Sequence, residues 1–282
     1  MTLPTFILAG VPKSGSTSLY RYLHQHPDVY MAPVKEPDFF LRSHPEASIH
    51  EYAALFEGAT TEAAIGEASV GYFNDAEAPH RIRRILPDVA ILLVLRNPIE
   101  RAYSHYNMLL IHGVAPPPPY ADVLMEARRT GDFQKTGVPT SRYADSLARF
   151  LDVFGDRVFV HRYGDYRAQP VPFVQQMFEQ VGVDPSFVPD LSNSYNQSYR
   201  PRSTRLTKVS TQTVRWKVTL RRFLPRPLRS WIQSGLARWN EQPVPDLDDT
   251  SRQILMDLLG DDIERTESIL QIDLSDWRRL PA

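Results

Sequence analysis

Short apolar runs alternate along this chain with segments in which apolar residues recur at the spacing of a helix. Runs of strand length lie at 5–11, 64–67, 90–95 and 157–161, and the run at 64–67 is the weakest of them. Helical spacing extends over 16–26, 77–86, 99–111, 142–154, 171–181 and 250–270. Strands that alternate with helices predict βαβ units. The chain is therefore predicted to form a three-layer α/β fold, a parallel sheet with helices on both faces.

Two stretches of the chain lie outside this alternation. The first, 112–140, contains the prolines 116–119, which favour a stiff extended segment. It is predicted to be an excursion from the sheet, either a lid over a substrate or an inert surface loop. The second, 191–245, is predicted to be an excursion of loops and helices. A chain of 282 residues can form one large α/β domain or two small ones, and all of 1–282 is predicted to be one domain.

Composition narrows the class of protein. The sequence contains no cysteine, which excludes disulfides, thiolate metal sites and cysteine nucleophiles. A nucleic-acid partner is not expected, because the formal net charge is −1 and no nucleic-acid-binding motif is present. No apolar run approaches the ~20 residues that span a bilayer, and the first residues lack a basic leader. The expected location is the cytoplasm, and the oligomeric state is open.

Charge is unevenly distributed near the end of the chain. Residues 191–240 hold eleven Arg or Lys and no acid, whereas 241–282 hold eleven acids and four bases. Within the basic part, 214–231 mixes Trp, Phe and Leu with Arg and Lys. One interpretation is a solvated pair of helices that packs its tryptophans inward. The other is a surface that faces an anionic ligand or makes weak peripheral contact with a membrane.

The first apolar run ends in a loop that carries candidate phosphate-binding residues. The sequence from Gly10 is Gly-Val-Pro-Lys-Ser-Gly-Ser-Thr-Ser, and helical spacing begins at Ser16. A strand, a tight loop and a helix in this order direct backbone N–H groups at a phosphate. The two glycines have P-loop spacing, but Lys13 precedes Gly15 instead of following it. The loop is therefore predicted to bind a phosphate other than the Mg-bound tail of ATP, the alternative being an ordinary turn.

Two further loops carry candidate residues. The run 90–95 ends in Arg96, where a nucleotide triphosphatase would place its Mg-binding aspartate, and Ser104 follows about two helical turns later. Arginine binds phosphate bidentately, with serine as a second donor. The alternative is that Arg96 pairs with Glu100 or another carboxylate and that Ser104 is an ordinary surface residue. Glu36, between Lys35 and a proline, is a candidate general base, or else part of an exposed Lys-Glu pair without function.

Three motifs together resemble those of sulfotransferases that use 3′-phosphoadenosine 5′-phosphosulfate (PAPS). They are Pro-Lys-Ser-Gly-Ser-Thr-Ser at 12–18, Lys-Glu-Pro-Asp-Phe-Phe at 35–40 and Leu-Arg-Asn-Pro-x5-Ser at 95–104. The resemblance is closest to the heparan-sulfate type and its soluble bacterial relatives, and it covers nearly the whole chain. It implies an enzyme that moves a sulfuryl group from PAPS to an acceptor hydroxyl, or less readily an amine, without a metal. The excursions 112–140 and 191–245 are then expected near the acceptor.

The resemblance also implies a role for each matching residue. The 5′-phosphosulfate would be held by Lys13 and the backbone of Ser14, Gly15, Ser16, Thr17 and Ser18. The 3′-phosphate would be held by Arg96 and Ser104 and by a later loop with Arg202 and Ser203. Glu36 would be the catalytic base, and Lys13 would neutralise charge on the departing phosphate oxygen.

Departures from the family pattern concern the acceptor. Asp38 stands where a histidine commonly precedes the two phenylalanines, and Ala68 stands where glycan-modifying members have a lysine. These changes argue against a heparan-like acceptor and leave glycan, lipid, phenol and secondary-metabolite acceptors open.

Two other functions fit parts of the sequence. A Mg-dependent P-loop kinase or nucleotide hydrolase would need a lysine after Gly15 and an acid after 90–95, and neither is present. A non-catalytic phosphonucleotide-binding protein would keep Lys13 and Arg96 but would have no use for Glu36.

Overall fold

In a computed structural model, the chain forms a parallel sheet with helices against both faces. The structure describes residues 1–114, 119–192, 199–201 and 241–279. Among these residues, five strands lie in the order β2–β3–β1–β4–β5, and each neighbouring pair is parallel. They are β1 (Phe6–Gly10), β2 (Val29–Met31), β3 (Ala64–Ala68), β4 (Ala90–Leu95) and β5 (Val158–Arg162). The predicted α/β fold is confirmed.

Most helices begin and end close to where the hydrophobic spacing predicts them. They are α1 (Ser16–Leu23), α2 (Ile49–Ala53), α3 (Ala78–Ile85), α4 (Pro98–Ile111), α5 (Tyr120–Thr130), α6 (Ala144–Phe154), α7 (Tyr163–Ala168), α8 (Pro170–Gln180) and α9 (Asp249–Leu270). Short 3₁₀ turns occupy Phe39–Leu41, Pro45–Ser48, Ala54–Phe56, Val70–Asn74, Pro139–Ser141, Gly155–Arg157 and Ser275–Arg278. The spacing missed β2, α2 and α7, which are too short to show a period, and α5, which lies in the proline-containing excursion.

Crossovers between the strands place helices on opposite faces of the sheet. The connection through α1 moves from β1 towards β2, whereas those through α3 and α6 move the other way across the sheet, towards β5. Because such crossovers are right-handed, α3 and α6 lie opposite α1. On the α1 face, Phe6, Leu8 and Leu92 join a buried cluster with residues of α1 and α8. Phe73 stacks on Phe150 of α6, with ring centroids 6.1 Å apart.

Contacts within the chain group into two compact units. Of the described residues, the first unit holds 1–98, 142–192 and 262–274, and it contains the five-stranded sheet. The second unit holds 99–114, 119–141, 199–201, 241–261 and 275–279. It contains an antiparallel pair, β6 (Tyr199–Pro201) with β7 (Glu241–Pro243). One sulfotransferase domain over 1–282 stays a prediction.

A buried arginine organises part of the second unit. Arg101 of α4 is 0% exposed. Its Nη1 donates to the carbonyl oxygen of Gly137 at 3.1 Å and to Oγ of Ser141 at 3.0 Å. On α5, Tyr120 stacks on Tyr106, with centroids 4.2 Å apart. The described part of 112–140 is therefore held by side-chain contacts within its own unit, and its role as a lid stays a prediction.

The N-terminal cap of α9 is Asp248, because its Oδ1 accepts a hydrogen bond from the backbone N–H of Ser251 at 2.8 Å. The basic segment 214–231 lies outside the described residues, as does most of 191–245. None of the described helices is both long and apolar enough to cross a membrane.

Candidate active site

The loop after β1 lies at the carboxyl edge of the parallel sheet, where ligands bind in α/β folds. The backbone N–H of Val11 donates to the carbonyl oxygen of Val94 at 3.1 Å, which holds the start of the loop against β4. Lys13 has φ 73° and Gly15 has φ 81°, both left-handed. Two such residues close together turn the chain sharply into α1. The predicted strand–loop–helix is therefore present.

The loop offers donors of the kind that bind a phosphate. Ser14 is only 1% exposed, yet among the described residues its Oγ has no hydrogen-bond partner. A buried hydroxyl of this kind is satisfied when a ligand oxygen completes it. Ser16 and Thr17 are half-buried in the first turn of α1, and Ser18 bonds through its hydroxyl to Tyr166. The residues present thus fit an anionic group with several oxygens.

Arg96 follows β4 and contacts this loop directly. Its Nη1 donates to the carbonyl oxygen of Lys13 at 3.2 Å, and its Cζ lies 5.1 Å from the centroid of the Tyr163 ring. Its own carbonyl oxygen accepts from the hydroxyl of Tyr143 at 3.0 Å. The structure therefore brings the guanidinium of Arg96 against the backbone of Lys13.

Ser104 is part of the second unit. It lies on α4 and is 8% exposed, and among the described residues its Oγ has no hydrogen-bond partner. It is therefore a buried hydroxyl rather than the ordinary surface serine of the alternative interpretation. Arg202 and Ser203 lie outside the described residues.

Glu36 lies in a loop that is bound to the end of β3. Its backbone N–H donates to the carbonyl oxygen of Ala68 at 2.9 Å. Its side chain is 44% exposed and forms an ion pair with Lys35. Since β3 is next to β1, Glu36 is at the same edge of the sheet as Lys13. The structure thus gathers Lys13, Glu36 and Arg96 at the carboxyl edge of the sheet.

A buried carboxylate lies next to the last residue of β3. Glu67 is 0% exposed and accepts hydrogen bonds from Tyr52 at 2.8 Å, Tyr72 at 2.9 Å and Ser69 at 2.6 Å. Burial raises the pKa of Glu67 to about 7, against the lowering effect of these three hydroxyls, and the nearby Asp38 raises it further. The hydrophobic pattern includes Glu67 in the run 64–67, but it does not predict these three partners.

Two tyrosines of the site were also missed. Tyr163 and Tyr166 follow β5, and a Cβ on Gly15 would lie 3.0 Å from Tyr163 and 3.4 Å from Tyr166. Their position directly after a strand of the sheet was the available signal, because the ends of parallel strands share one edge. Among the described residues, no group of three or more His, Cys, Asp or Glu could hold a metal.

Comparison with known proteins agrees with this geometry. A family model for the sulfotransferase domain matches residues 3–226. The chain belongs to the sulfotransferase family. This confirms the predicted family and the predicted sulfuryl transfer, and it does not favour the kinase alternative.

Individual relatives of this sulfotransferase include glycan-modifying enzymes. It is 32% identical over 169 residues to heparan sulfate glucosamine 3-O-sulfotransferase 6 of Homo sapiens, over 55% of this chain and 47% of that relative. It is 34% identical over 113 residues to bifunctional heparan sulfate N-deacetylase/N-sulfotransferase 3 of Homo sapiens, over 37% of this chain and 13% of that relative. The match thus spans about half of the first relative and less of the second.

A solved structure matches over the full length. The sulfotransferase from Alicyclobacillus acidocaldarius is 27% identical, with a TM-score of 0.65, and the match covers 99% of this chain and 100% of that one.

Proposed function

We propose that this protein transfers a sulfuryl group from PAPS to an acceptor hydroxyl. The observation that carries the proposal is the hydrogen bond from Arg96, after β4, to the carbonyl oxygen of Lys13. Lys13 lies in residues 11–15, the loop after β1 that we name the phosphate loop. A nucleotide kinase would need a carboxylate after β4 to hold Mg²⁺. Here an arginine follows β4 instead, and it binds the backbone of the loop that carries Lys13, which suits a donor that carries phosphate groups at two positions.

In this proposal the phosphate loop and Arg96 hold the donor. When bound, PAPS supplies the sulfuryl group and leaves as 3′,5′-ADP. Lys13 and the backbone N–H groups of 14–18 bind the 5′-phosphosulfate, and the Ser14 hydroxyl is a further donor. Arg96 binds the 3′-phosphate, and Ser104, Arg202 and Ser203 keep the 3′-phosphate role that the family resemblance implies. Lys13 stabilises negative charge on the phosphate oxygen, so that no metal is needed.

Glu36 is proposed as the general base. A carboxylate oxygen of Glu36 takes the proton of the acceptor hydroxyl, which makes that oxygen a better nucleophile. The side chain is 44% exposed, so an acceptor can reach it from solvent. Its ion pair with Lys35 does not prevent this, because both side chains are partly exposed and such pairs stabilise a protein by only about 0–1 kcal/mol.

The acceptor is proposed to be a hydroxyl of a glycan, lipid, phenol or other small molecule, with an amine as the second choice. The relatives named for heparan sulfate do not fix it, because the family's lysine is replaced here by Ala68, which is fully buried. Burial, and next the charge of Glu36, raise the pKa of Asp38, which stands at the histidine position. A second carboxylate beside Glu36, where the family has a histidine, suits a neutral acceptor better than a polyanionic one. The cytoplasmic location and weak membrane contact stay predictions.

The experiment is a transfer assay with ³⁵S-labelled PAPS, carried out in EDTA, against a panel of neutral glycans, lipids, phenols and heparan sulfate. We expect labelled product from a neutral hydroxyl compound, identified by mass spectrometry. The matched reaction with γ-labelled ATP and Mg²⁺ should give no labelled product. Phosphoryl transfer from ATP, or failure of the protein to bind 3′,5′-ADP, would overturn the proposal.

A further inference from the structure

The loop that carries Glu36 needs external support. Glu36 has φ 59° and Asp38 has φ 51°, the left-handed region that residues other than glycine rarely adopt. Each such residue costs about 1–2 kcal/mol of backbone free energy. A loop with two of them keeps this conformation only if other contacts determine it.

That support comes from alternate backbone N–H groups of the loop, which all bind the chain at the end of β3. Glu36 N–H donates to the carbonyl oxygen of Ala68 at 2.9 Å. Asp38 N–H donates to Oγ of Ser69 at 3.1 Å. Phe40 N–H donates to the hydroxyl oxygen of Tyr72 at 3.3 Å. Two of the three acceptors are side-chain hydroxyls.

The direction of these two hydroxyls is set by Glu67. A hydroxyl has one proton, so a serine or tyrosine that donates to Glu67 can present only its lone pairs elsewhere. Ser69 donates to Oε2 of Glu67, and Tyr72 donates to Oε1. Because both protons point at the carboxylate, both lone pairs are available to the loop. A protonated glutamic acid or a glutamine at position 67 has a hydrogen-bond donor of its own. That donor would compete with the N–H groups of the loop for the lone pairs of these hydroxyls.

We propose that Glu67 is a positioning residue for the catalytic base: through Ser69 and Tyr72 it fixes the loop that carries Glu36. The inference rests on the proposed role of Glu36. The positioning role explains why a carboxylate that is 0% exposed is present at position 67. Burying a charge is costly, and well-packed apolar residues would serve a purely structural purpose better. Tyr52 also donates to Glu67, but among the described residues its hydroxyl bonds only to this carboxylate and not to an N–H group of the loop.

Tyr52 therefore provides a matched control. Tyr72→Phe and Ser69→Ala each remove one hydroxyl between Glu67 and the loop. Tyr52→Phe removes one hydroxyl between Glu67 and α2 and keeps the ring that stacks on Phe39 at 4.3 Å. We expect the first two variants to lower kcat about tenfold with an unchanged KM for PAPS, and Tyr52→Phe to keep kcat within about twofold.

Amide exchange tests the same idea without an activity assay. In NMR exchange experiments on the full chain, the N–H of Phe40 should exchange faster in Tyr72→Phe, and that of Asp38 faster in Ser69→Ala, while Tyr52→Phe leaves both as in the wild type. Glu67→Gln should accelerate both. Unchanged exchange in the first two variants, or equal losses of kcat in all three hydroxyl variants, would overturn the inference. A wild type without transfer activity would instead contradict the proposed function, and the exchange rates would still test how the loop is held.

Discussion

Nη1 of Arg96 lies 3.2 Å from the carbonyl oxygen of Lys13, and this hydrogen bond joins the end of β4 to the phosphate loop after β1. The same guanidinium lies over the ring of Tyr163, 5.1 Å from its centroid. These contacts fix the plane of a planar, five-donor group, which a lysine ammonium cannot imitate. The orientation of Arg96 is thereby set by contacts within the protein.

Replacing Arg96 by lysine tests this orientation. Arg96→Lys keeps the charge but loses the fork geometry and the stacking on Tyr163. We expect affinity for 3′,5′-ADP, measured by calorimetry, to fall about 10–100-fold, the range for lost hydrogen bonds to a charged group. The control is Arg157→Lys, a surface arginine paired with Asp88 at 3.0 Å, which should bind as the wild type does. Equal affinity in Arg96→Lys would remove Arg96 from the donor site.

The 3′-phosphate is the group that separates this donor from ordinary adenine nucleotides. If Arg96 and Ser104 hold it, 3′,5′-ADP should raise the Tm more than 5′-AMP does at equal concentration, and it should do so in EDTA. A tenfold difference in affinity corresponds to about 1.4 kcal/mol of added stabilisation at saturating ligand. Differential scanning fluorimetry measures this directly. Equal shifts from the two nucleotides would contradict the assignment.

The parts of the site that follow strand ends could be predicted from the sequence. Lys13 and Arg96 come after strongly apolar runs, and the ends of parallel strands share one edge, so their proximity follows from the fold class alone. The network around Glu67 could not be predicted in this way. Tyr52 and Tyr72 reach Glu67 from a short helix and a 3₁₀ turn that carry no hydrophobic period. Strand β2 has only three residues, too few for an alternating pattern to be recognised.

A change at Glu36 separates catalysis from binding. Glu36→Gln keeps the shape of the side chain and removes its ability to take a proton. We expect unchanged affinity for 3′,5′-ADP and a loss of transfer of roughly 10²–10⁴-fold, the range for a general base. The control is Glu51→Gln, an exposed glutamate paired with Arg42 at 2.8 Å, which should retain full activity. A fully active Glu36→Gln enzyme would show that the base is another group.

Donor binding is expected to require glycine at position 15, because an added side chain would crowd Tyr163. A Cβ there would lie 3.0 Å from Cε2 of Tyr163, at φ +81°. Gly15→Ala should therefore shift the phosphate loop and lower donor affinity by at least about tenfold, because backbone N–H groups lose their direction towards the ligand. Gly131→Ala is the control, since it has a similar φ of +76° but nothing within 4 Å of its added Cβ. Both variants should lose stability from backbone strain, and only Gly15→Ala should lose binding in calorimetry.

Glu67 should make the stability of the protein depend on pH. Burial raises its pKa from 4.5 to about 7 in the folded state, so the folded protein binds this proton more tightly than the unfolded chain does. The resulting stabilisation is complete below the unfolded pKa and is lost as the pH rises through about 7. Glu67→Gln removes it. The difference in unfolding free energy, wild type minus variant, should therefore decrease by roughly 2–3 kcal/mol between pH 5 and pH 8 in urea titrations.

Glu62→Gln is the control in the same experiment, because it also removes one carboxylate. Backbone N–H groups, first that of Thr60, lower the pKa of the exposed Glu62, so its contribution is lost only as the pH falls below the ordinary range of a glutamate. The difference between wild type and Glu62→Gln should accordingly stay constant from pH 5 to pH 8. If the Glu67→Gln difference were equally constant, Glu67 would be ionised throughout this range. Its three hydroxyl partners would then outweigh its burial, and the carboxylate would direct Ser69 and Tyr72 at every pH in the window.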